Sequence, residues 1–323
     1  MKNTKLQIAA IQMASRLGAI DENLARAHSL AIQAANQNAD LILFPELMPS
    51  GYSLSPRMWS GAEPTNGRTA RWLRNTAREL GVFVGTSFIE VVGHDFYNTF
   101  VLAAPDGRES GRVQKHHAES YFFRGGRGSH VIDTAVGRLG IGICADNQYA
   151  DLLPDLQQAG IDLMLMPHAW PAPFRTSKAV SEADIERSHT LAAGMASLYS
   201  QSLGVPAVFC NQVGPSSGDR GVGLVGRAMN SPDFYFPGLS TIAASDGRIL
   251  TQLGKDEGLA LAEIVLDPEK RVKKFPRTYG RWVLPGSLFI RDILFPADAA
   301  LGKLWYAFSR QRRKFARLAA VEG

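Results

Sequence analysis

Three side chains of different chemistry stand where apolar, strand-like segments end. Glu46 follows Leu41-Ile42-Leu43-Phe44-Pro45, Lys115 follows Val113-Gln114, and Cys144 follows Leu139-Gly140-Ile141-Gly142-Ile143. Strand ends are the positions from which α/β folds present reactive groups. A carboxylate, an ammonium and a thiol held together suit nucleophilic acyl transfer. The thiolate attacks a carbonyl, the carboxylate takes and returns a proton, and the ammonium stabilises the oxyanion and favours the thiolate. Each alone has an ordinary explanation: a cysteine ending an apolar strand is usually packing, a glutamate can sit at a helix start, and a lysine can guard a strand edge. Cys210, inside Val208-Phe209-Cys210-Asn211, has no such company and reads as core.

The elements that must position these groups alternate between strand and helix patterns. Leu6–Met13 is apolar and compatible with a strand, and Asp21–Asn36 follows as a helix with Asp21 as its N-cap. Asp40–Phe44 is a short buried strand, and Thr69–Leu80 is a helix closed by Gly81. Val82–Glu90 and Tyr97–Ala104 read as strands, with Pro105-Asp106-Gly107-Arg108 as a hairpin turn. Arg138–Cys144, Asp162–Met166 and Pro206–Asn211 are further strands. Tyr149–Ala159 and Ser181–Leu203 are helices stopped by Gly160 and Gly204. Thr241–Ala244, Ile249–Gln252 and Leu259–Val265 close the pattern as an antiparallel set. This mixture favours an α/β layered fold with mixed sheets.

Composition bounds the rest. Hydrophobic residues make up 45% of the 323 and charged residues 20%, which excludes wholesale disorder. The formal net charge of +5 is unevenly spread: Lys270 to Arg317 holds thirteen Lys/Arg against Asp292 and Asp298 only, +11 in all, leaving the remainder at −6. A mildly acidic body argues against nucleic acid, whereas a basic tail could touch an acidic partner or lipid headgroups. Two cysteines make no disulfide framework, the N-terminal apolar stretch is broken by Gln7 and Gln12, and no run reaches the ~18 apolar residues of a membrane span. A cytoplasmic, reducing location is expected.

The motifs around the three groups resemble those of the carbon–nitrogen hydrolase (nitrilase) superfamily: Phe44-Pro45-Glu46, Lys115 with His117, and Gly142-Ile143-Cys144-Ala145-Asp146, separated by 69 and 29 residues. Supporting similarities are Met166-Pro167-His168-Ala169-Trp170, Asn211 in its apolar strand, and Phe236-Pro237-Gly238-Leu239-Ser240-Thr241-Ile242 before Asp246-Gly247. The likeness spans about residues 5–268, so residues 1–268 are expected to be the hydrolase domain and 269–323 a basic C-terminal extension. It implies a four-layer αββα sandwich, usually dimeric through helix pairing, here Tyr149–Ala159 and Ser181–Leu203, and needing no cofactor or metal.

The resemblance also implies roles. Cys144 would be the nucleophile, Glu46 the general base, and Lys115 the oxyanion stabiliser beside the N–H of Ala145. Glu119 would hold the lysine and orient substrate, although it lies only four residues after Lys115, in a loop shorter than the family's usual one. Gln148, His168 and Trp170 would contribute to substrate binding. Ala145-Asp146 after the cysteine, where nitrilases proper usually have Trp-Glu, points to amides rather than nitriles. Gln148 stands where members that bind carboxylates place arginine, which disfavours ω-amide and N-carbamoyl amino acid substrates. Asp151, where a glutamate is common, is one methylene short.

The expected activity is therefore a thiol amidohydrolase acting on a small neutral or cationic amide. Its rivals are a nitrilase, an acyltransferase using the same thioester, and a non-catalytic binding subunit, which would have no need of all three groups. His116-His117 has no metal-ligand spacing around it. Gly125-Gly126-Arg127-Gly128 lacks the context of a P-loop and is read as shaping a loop before a strand at 131–133. In the tail, Leu301, Leu304, Trp305, Phe308, Phe315 and Leu318 recur at helical spacing among arginines. That pattern fits an arm packed on a neighbouring subunit or, less readily, a segment lying on an anionic membrane.

Overall fold

The structure, a computed structural model, describes residues 4–173, 176, 180–229 and 234–321. Twelve strands, with a two-residue strand Glu63–Pro64 paired beside Phe83–Val92, form two large sheets. They are β1 Thr4–Gln12, β2 Leu41–Leu43, β3 Phe83–Val92, β4 Asp95–Ala103, β5 Glu109–Gln114, β6 Val131–Thr134, β7 Gly137–Ile141, β8 Leu163–His168, β9 Ala207–Asn211, β10 Thr241–Ala243, β11 Ile249–Gln252 and β12 Gly258–Leu266. The first sheet runs β12-β1-β2-β3-β4-β5 and the second β11-β10-β9-β8-β7-β6. In the first, β2 lies parallel to β1 and β3 while the outer pairs are antiparallel. In the second, β8 lies parallel to β7 and β9.

Alternation explains the layering. On β1, Leu6, Ile8 and Ala10 face the other sheet and meet Ile141, Leu165 and Val208, while Ala9 and Ile11 face the helices. Strands buried on both faces read as continuous apolar runs, which is why β1 and β2 show no polar alternation. Helices α1 (Ile20–Ala35) and α2 (Arg68–Leu80) cover the first sheet through Ala27, Ala31, Leu73 and Ala77. Helices α3 (Leu152–Ala159) and α4 (Glu182–Leu203) cover the second through Leu156, Met195 and Tyr199. The result is the expected αββα sandwich.

Several boundaries move for physical reasons. The N-cap of α1 is Ala19, with Asp21 in the first turn where its charge favours the helix dipole. The helix expected from Tyr149 starts only at Leu152, because Tyr149 pairs with Trp282 and the Ala150 N–H donates to the Arg281 carbonyl at 2.8 Å. Ser181 caps α4 reciprocally with Asp184, and Gly81, Gly160 and Gly204 close their helices in the left-handed conformation.

The basic extension folds back on its own chain. After Pro268 it crosses the Tyr149 region and enters a π-helical turn, Phe289–Leu294, that continues as α5 (Phe295–Phe308) and α6 (Arg310–Val321). Trp305 stacks on buried Trp59 at 5.8 Å, and the Tyr306 hydroxyl accepts the Phe96 N–H at 2.9 Å and donates to Asp95. Arg312 bonds the carbonyls of His94 and Tyr306 and the Asp95 carboxylate. Gly302 lies against Ser120 and Tyr121, where a Cβ would come within 2.2 Å of the Ser120 hydroxyl. The shortened loop after Lys115 is thus packed against the extension.

Candidate active site

Glu46, Lys115 and Cys144 converge between the sheets at the ends of β2, β5 and β7. Lys115 continues the β4–β5 ladder, its N–H donating to the Asn98 carbonyl at 2.9 Å. Its ammonium donates to Glu46 Oε1 and to Glu119 Oε1, each at 2.7 Å. Glu46 is held on all sides. Its Oε1 also accepts from Asn98 Nδ2 at 2.7 Å, its Oε2 accepts the Ala169 N–H at 3.0 Å, and its carbonyl accepts from Gln212 Nε2 at 2.7 Å. The Cys144 thiol is buried within electrostatic reach of Glu46, Lys115 and Glu119. Glu46 and Lys115 have no exposed surface, so an ion pair with this many partners is what keeps both charges tolerable inside the protein.

Cys144 sits at the sharp turn from β7 into a 3-10 segment, Cys144–Gln148, with φ at +46°. An L residue in that left-handed region stores about 1–3 kcal/mol, and the surroundings fix it there. Gly142 permits the turn: a Cβ there would lie 2.0 Å from Asn147 Oδ1, and Asn147 Nδ2 donates back to the Gly142 carbonyl at 2.7 Å. Asp146 is fully buried beneath the turn. Its Oδ1 accepts the N–H groups of His116 and His117, and its Oδ2 that of Ile143. The Gly125-Gly126 run has a related use. The Gly126 N–H donates to the Lys115 carbonyl at 2.8 Å, and a Cβ on Gly126 would strike Gln114 at 2.4 Å.

Burial, and then the Glu46 charge, push the Cys144 thiol well above its ordinary value, and Lys115 only partly offsets them. Burial likewise raises Glu46 against the pull of Lys115. Burial opposes the Lys115 charge, but Glu119, Glu46 and Cys144 together outweigh it, so the lysine is held well above its ordinary value. The resting arrangement is a neutral thiol on a carboxylate clamped by an ammonium. This differs from the preformed thiolate expected of a cysteine beside a lysine, because desolvation and the nearer carboxylate win.

Glu119 joins the group despite its short spacing. The Tyr52 hydroxyl donates to its Oε1 at 3.0 Å, while its buried Oε2 has no hydrogen-bond partner. Ala145 and Gln148 lie half-buried in the turn after Cys144, and the Gln148 carbonyl accepts the Val283 N–H of the extension at 2.9 Å. His168 and Trp170 are placed differently from expectation. The His168 ring is fully buried, with Nδ1 on the Met166 carbonyl at 3.0 Å and Nε2 against Asn147 Nδ2 at 3.4 Å, and burial lowers its pKa to about 3. Trp170 is buried in the core under α4, with its indole N–H on Ser188 and its backbone N–H on Asn211 Oδ1 at 2.8 Å. The His168 carbonyl accepts the Glu46 N–H at 3.3 Å.

Asn98, Tyr52 and Gln212 escaped the sequence reading. Asn98 had a signal, since alternation puts it on the face of β4 shared by Phe96 and Phe100. Among the described residues no group of His, Cys, Asp or Glu could hold a metal ion. His117 instead stacks on Tyr149 at 3.6 Å and bonds Asp151 through Nε2. Cys210 is core, its thiol directed at the Ile11 and Leu43 carbonyls.

The comparisons with known proteins agree with this geometry. An (R)-stereoselective amidase from Pseudomonas sp. is 28% identical over 273 residues, covering 83% of this chain and 88% of that protein. The carbon-nitrogen hydrolase of Helicobacter pylori G27 superposes with a TM-score of 0.71 at 21% identity, over 82% of this chain and 90% of its own. A mutant of the amidase from Nesterenkonia sp. AN1, with the acetamide moiety of fluoroacetamide covalently added at its active-site cysteine, superposes with a TM-score of 0.64 at 20% identity over 82% and 91%. The sequence model of the family described as Carbon-nitrogen hydrolase matches residues 7–274. The chain belongs to the carbon-nitrogen hydrolase family.

Proposed function

We propose that this protein is a thiol amidohydrolase that cleaves the C–N bond of a small, non-peptide amide. The observation that carries the reading is the buried convergence of the Cys144 thiol with Glu46, whose carboxylate is itself held by Lys115 at 2.7 Å. As Sγ attacks the amide carbonyl, its proton passes to Glu46 and the carbonyl electrons move to oxygen. Lys115 and the N–H of Ala145, in the first turn of a 3-10 segment where backbone N–H groups have no partner within the turn, receive that oxyanion. Collapse breaks the C–N bond, Glu46 returns the proton to the leaving nitrogen, and an acyl-thioester stays on Cys144. Water then gives a proton to Glu46 and attacks the thioester. The Cys144 sulfur leaves and regains the proton, and the acid departs.

The charges favour a neutral or cationic amide. Glu46, Lys115 and Glu119 sum to −1 in a buried site, and Gln148 offers no charge to a carboxylate. The unpartnered Glu119 Oε2 is an acceptor for the substrate amide N–H, which makes Glu119 the orienting group. The adduct on the cysteine of the Nesterenkonia amidase supports a nucleophilic cysteine.

Residues 1–268 would form the hydrolase domain and 269–323 an extension that braces its Glu119 loop. The family's helix-paired dimer would here use the outer faces of α3 and α4. Two buried, free thiols suit a reducing cytoplasm, and no helix among the described residues is long and apolar enough to cross a membrane. The test is ammonia release by wild type and Cys144→Ala across aliphatic, aromatic, ω-amide, N-carbamoyl and nitrile compounds. Cys144-dependent release from neutral or cationic amides is expected. Release from nitriles alone, or release that survives Cys144→Ala, would overturn the proposal.

A further inference from the structure

The extension presents an apolar outer face as well as a buried inner one. Asp298, Gly302 and Tyr306 are buried against the sandwich. On the other side Phe289 and Ile293, and then Leu301, Leu304 and Phe308, recur at three- and four-residue spacing within each group, and all are exposed, Phe308 by 76%. A helix buried on one side and apolar on the other needs a second cover. The next helix supplies charge: Arg310, Arg313, Lys314 and Arg317 line one open groove together with Leu318. None of these four cations has a carboxylate partner among the described residues. The acids of residues 289–321 are engaged elsewhere, Asp292 on Arg291 and Asp298 on the Tyr121 hydroxyl and the Leu224 N–H.

We propose that residues 289–318 dock this protein on an anionic lipid bilayer surface. The charge decides between the two covers that an apolar face could take. A second copy seated on the same surface would bring unpaired cations against cations, with no acid of this segment free to meet them. Anionic headgroups over an acyl boundary satisfy both features at once: the apolar side chains enter the boundary and the basic groove meets phosphate. With no span available among the described residues, contact is peripheral, the helices lying in the headgroup plane.

The experiment is vesicle flotation of the full chain, with light-scattering mass and thermal melting measured alongside. Wild type is expected to float with phosphatidylcholine vesicles containing phosphatidylglycerol. Bound protein should fall about tenfold or more on phosphatidylcholine alone or at high salt. Leu304→Asp/Phe308→Asp and Arg313→Glu/Lys314→Glu/Arg317→Glu should each abolish flotation, with melting, mass and ammonia release unchanged. Should the apolar double variant fail to fold, Phe308→Ser carries the same expectation. Wild type left unbound by both vesicle types would overturn the proposal. So would a light-scattering mass that halves in Leu304→Asp/Phe308→Asp, which would identify a second copy as the cover.

Discussion

Asp146, two residues past Cys144, accepts the backbone N–H of His117, two residues past Lys115, at 2.8 Å. With the further bonds to His116 and Ile143, one buried carboxylate fixes the turn that carries the thiol to the loop that carries the ammonium. Proximity catalysis depends on such fixing, because small displacements of reacting groups cost large factors in rate. Asp146→Ala leaves one buried and two partly buried N–H groups without an acceptor, at about 1–3 kcal/mol for each fully buried group. A loss of about 3 kcal/mol or more in urea denaturation is expected, with a fall in kcat. Asp146→Asn keeps an acceptor oxygen and should cost clearly less. Equal losses in the two variants would show that the hydrogen bonds do not matter.

Glu46→Gln should move thiol chemistry and turnover in opposite directions. Burial and the Glu46 carboxylate both raise the Cys144 thiol, so a neutral side chain removes one cause and lowers its pKa. The same change removes the proton carrier, which general acid–base catalysis values at about 10²–10⁴ in rate. Thiolate ultraviolet absorbance against pH, referenced to Cys144→Ala, should titrate lower in Glu46→Gln while ammonia release collapses. An unshifted titration would separate Glu46 from the thiol.

Tyr52→Phe tests whether Glu119 must be held. The hydroxyl donates to Glu119 Oε1, and a hydrogen bond to a charged group is worth about 1.5–3 kcal/mol, or roughly 10- to 100-fold. If Glu119 orients substrate, KM should rise more than kcat falls. A variant with wild-type KM would assign Tyr52 to packing alone.

His168 gives the fold a defined acid sensitivity. Folded, its pKa is lowered by burial from 6.5 to about 3, so between those values the unfolded chain binds a proton that the native chain does not. Stability therefore rises with pH across this window and is lost on acidification, by up to roughly 5 kcal/mol. His168→Asn, whose amide can still donate to the Met166 carbonyl, should be less stable at neutral pH but flatter between pH 6.5 and 3. Parallel urea-denaturation curves against pH for the two proteins would contradict this.

The layered fold was legible because β2 and β8 are buried on both faces and so read as unbroken apolar runs. The triad was legible because Glu46 and Cys144 follow apolar runs and Lys115 ends a strand-like segment. What the sequence hid was pairing at a distance. Tyr149 is helix-compatible in its own window and leaves the helix only because Trp282, more than a hundred residues later, pairs with it. Similarly, Trp305 and Tyr306 announce a helix but not their target. That target, Trp59 and Phe96, lies in a short 3-10 segment and a strand end with no periodic link to the tail. His168 and Trp170 looked like pocket residues from their place after a strand, but both side chains are buried, His168 against Met166 and Asn147 and Trp170 under α4.

The central claim is a covalent acyl group on Cys144. Its most direct measurement is acid-quenched mass spectrometry of wild type during turnover of an amide identified by ammonia release, followed by peptide mapping. The expected result is a mass increase equal to the acyl group less one hydrogen, confined to the Cys144 peptide and absent in Cys144→Ala. An adduct on Cys210, or sustained ammonia release by Cys144→Ala, would contradict it.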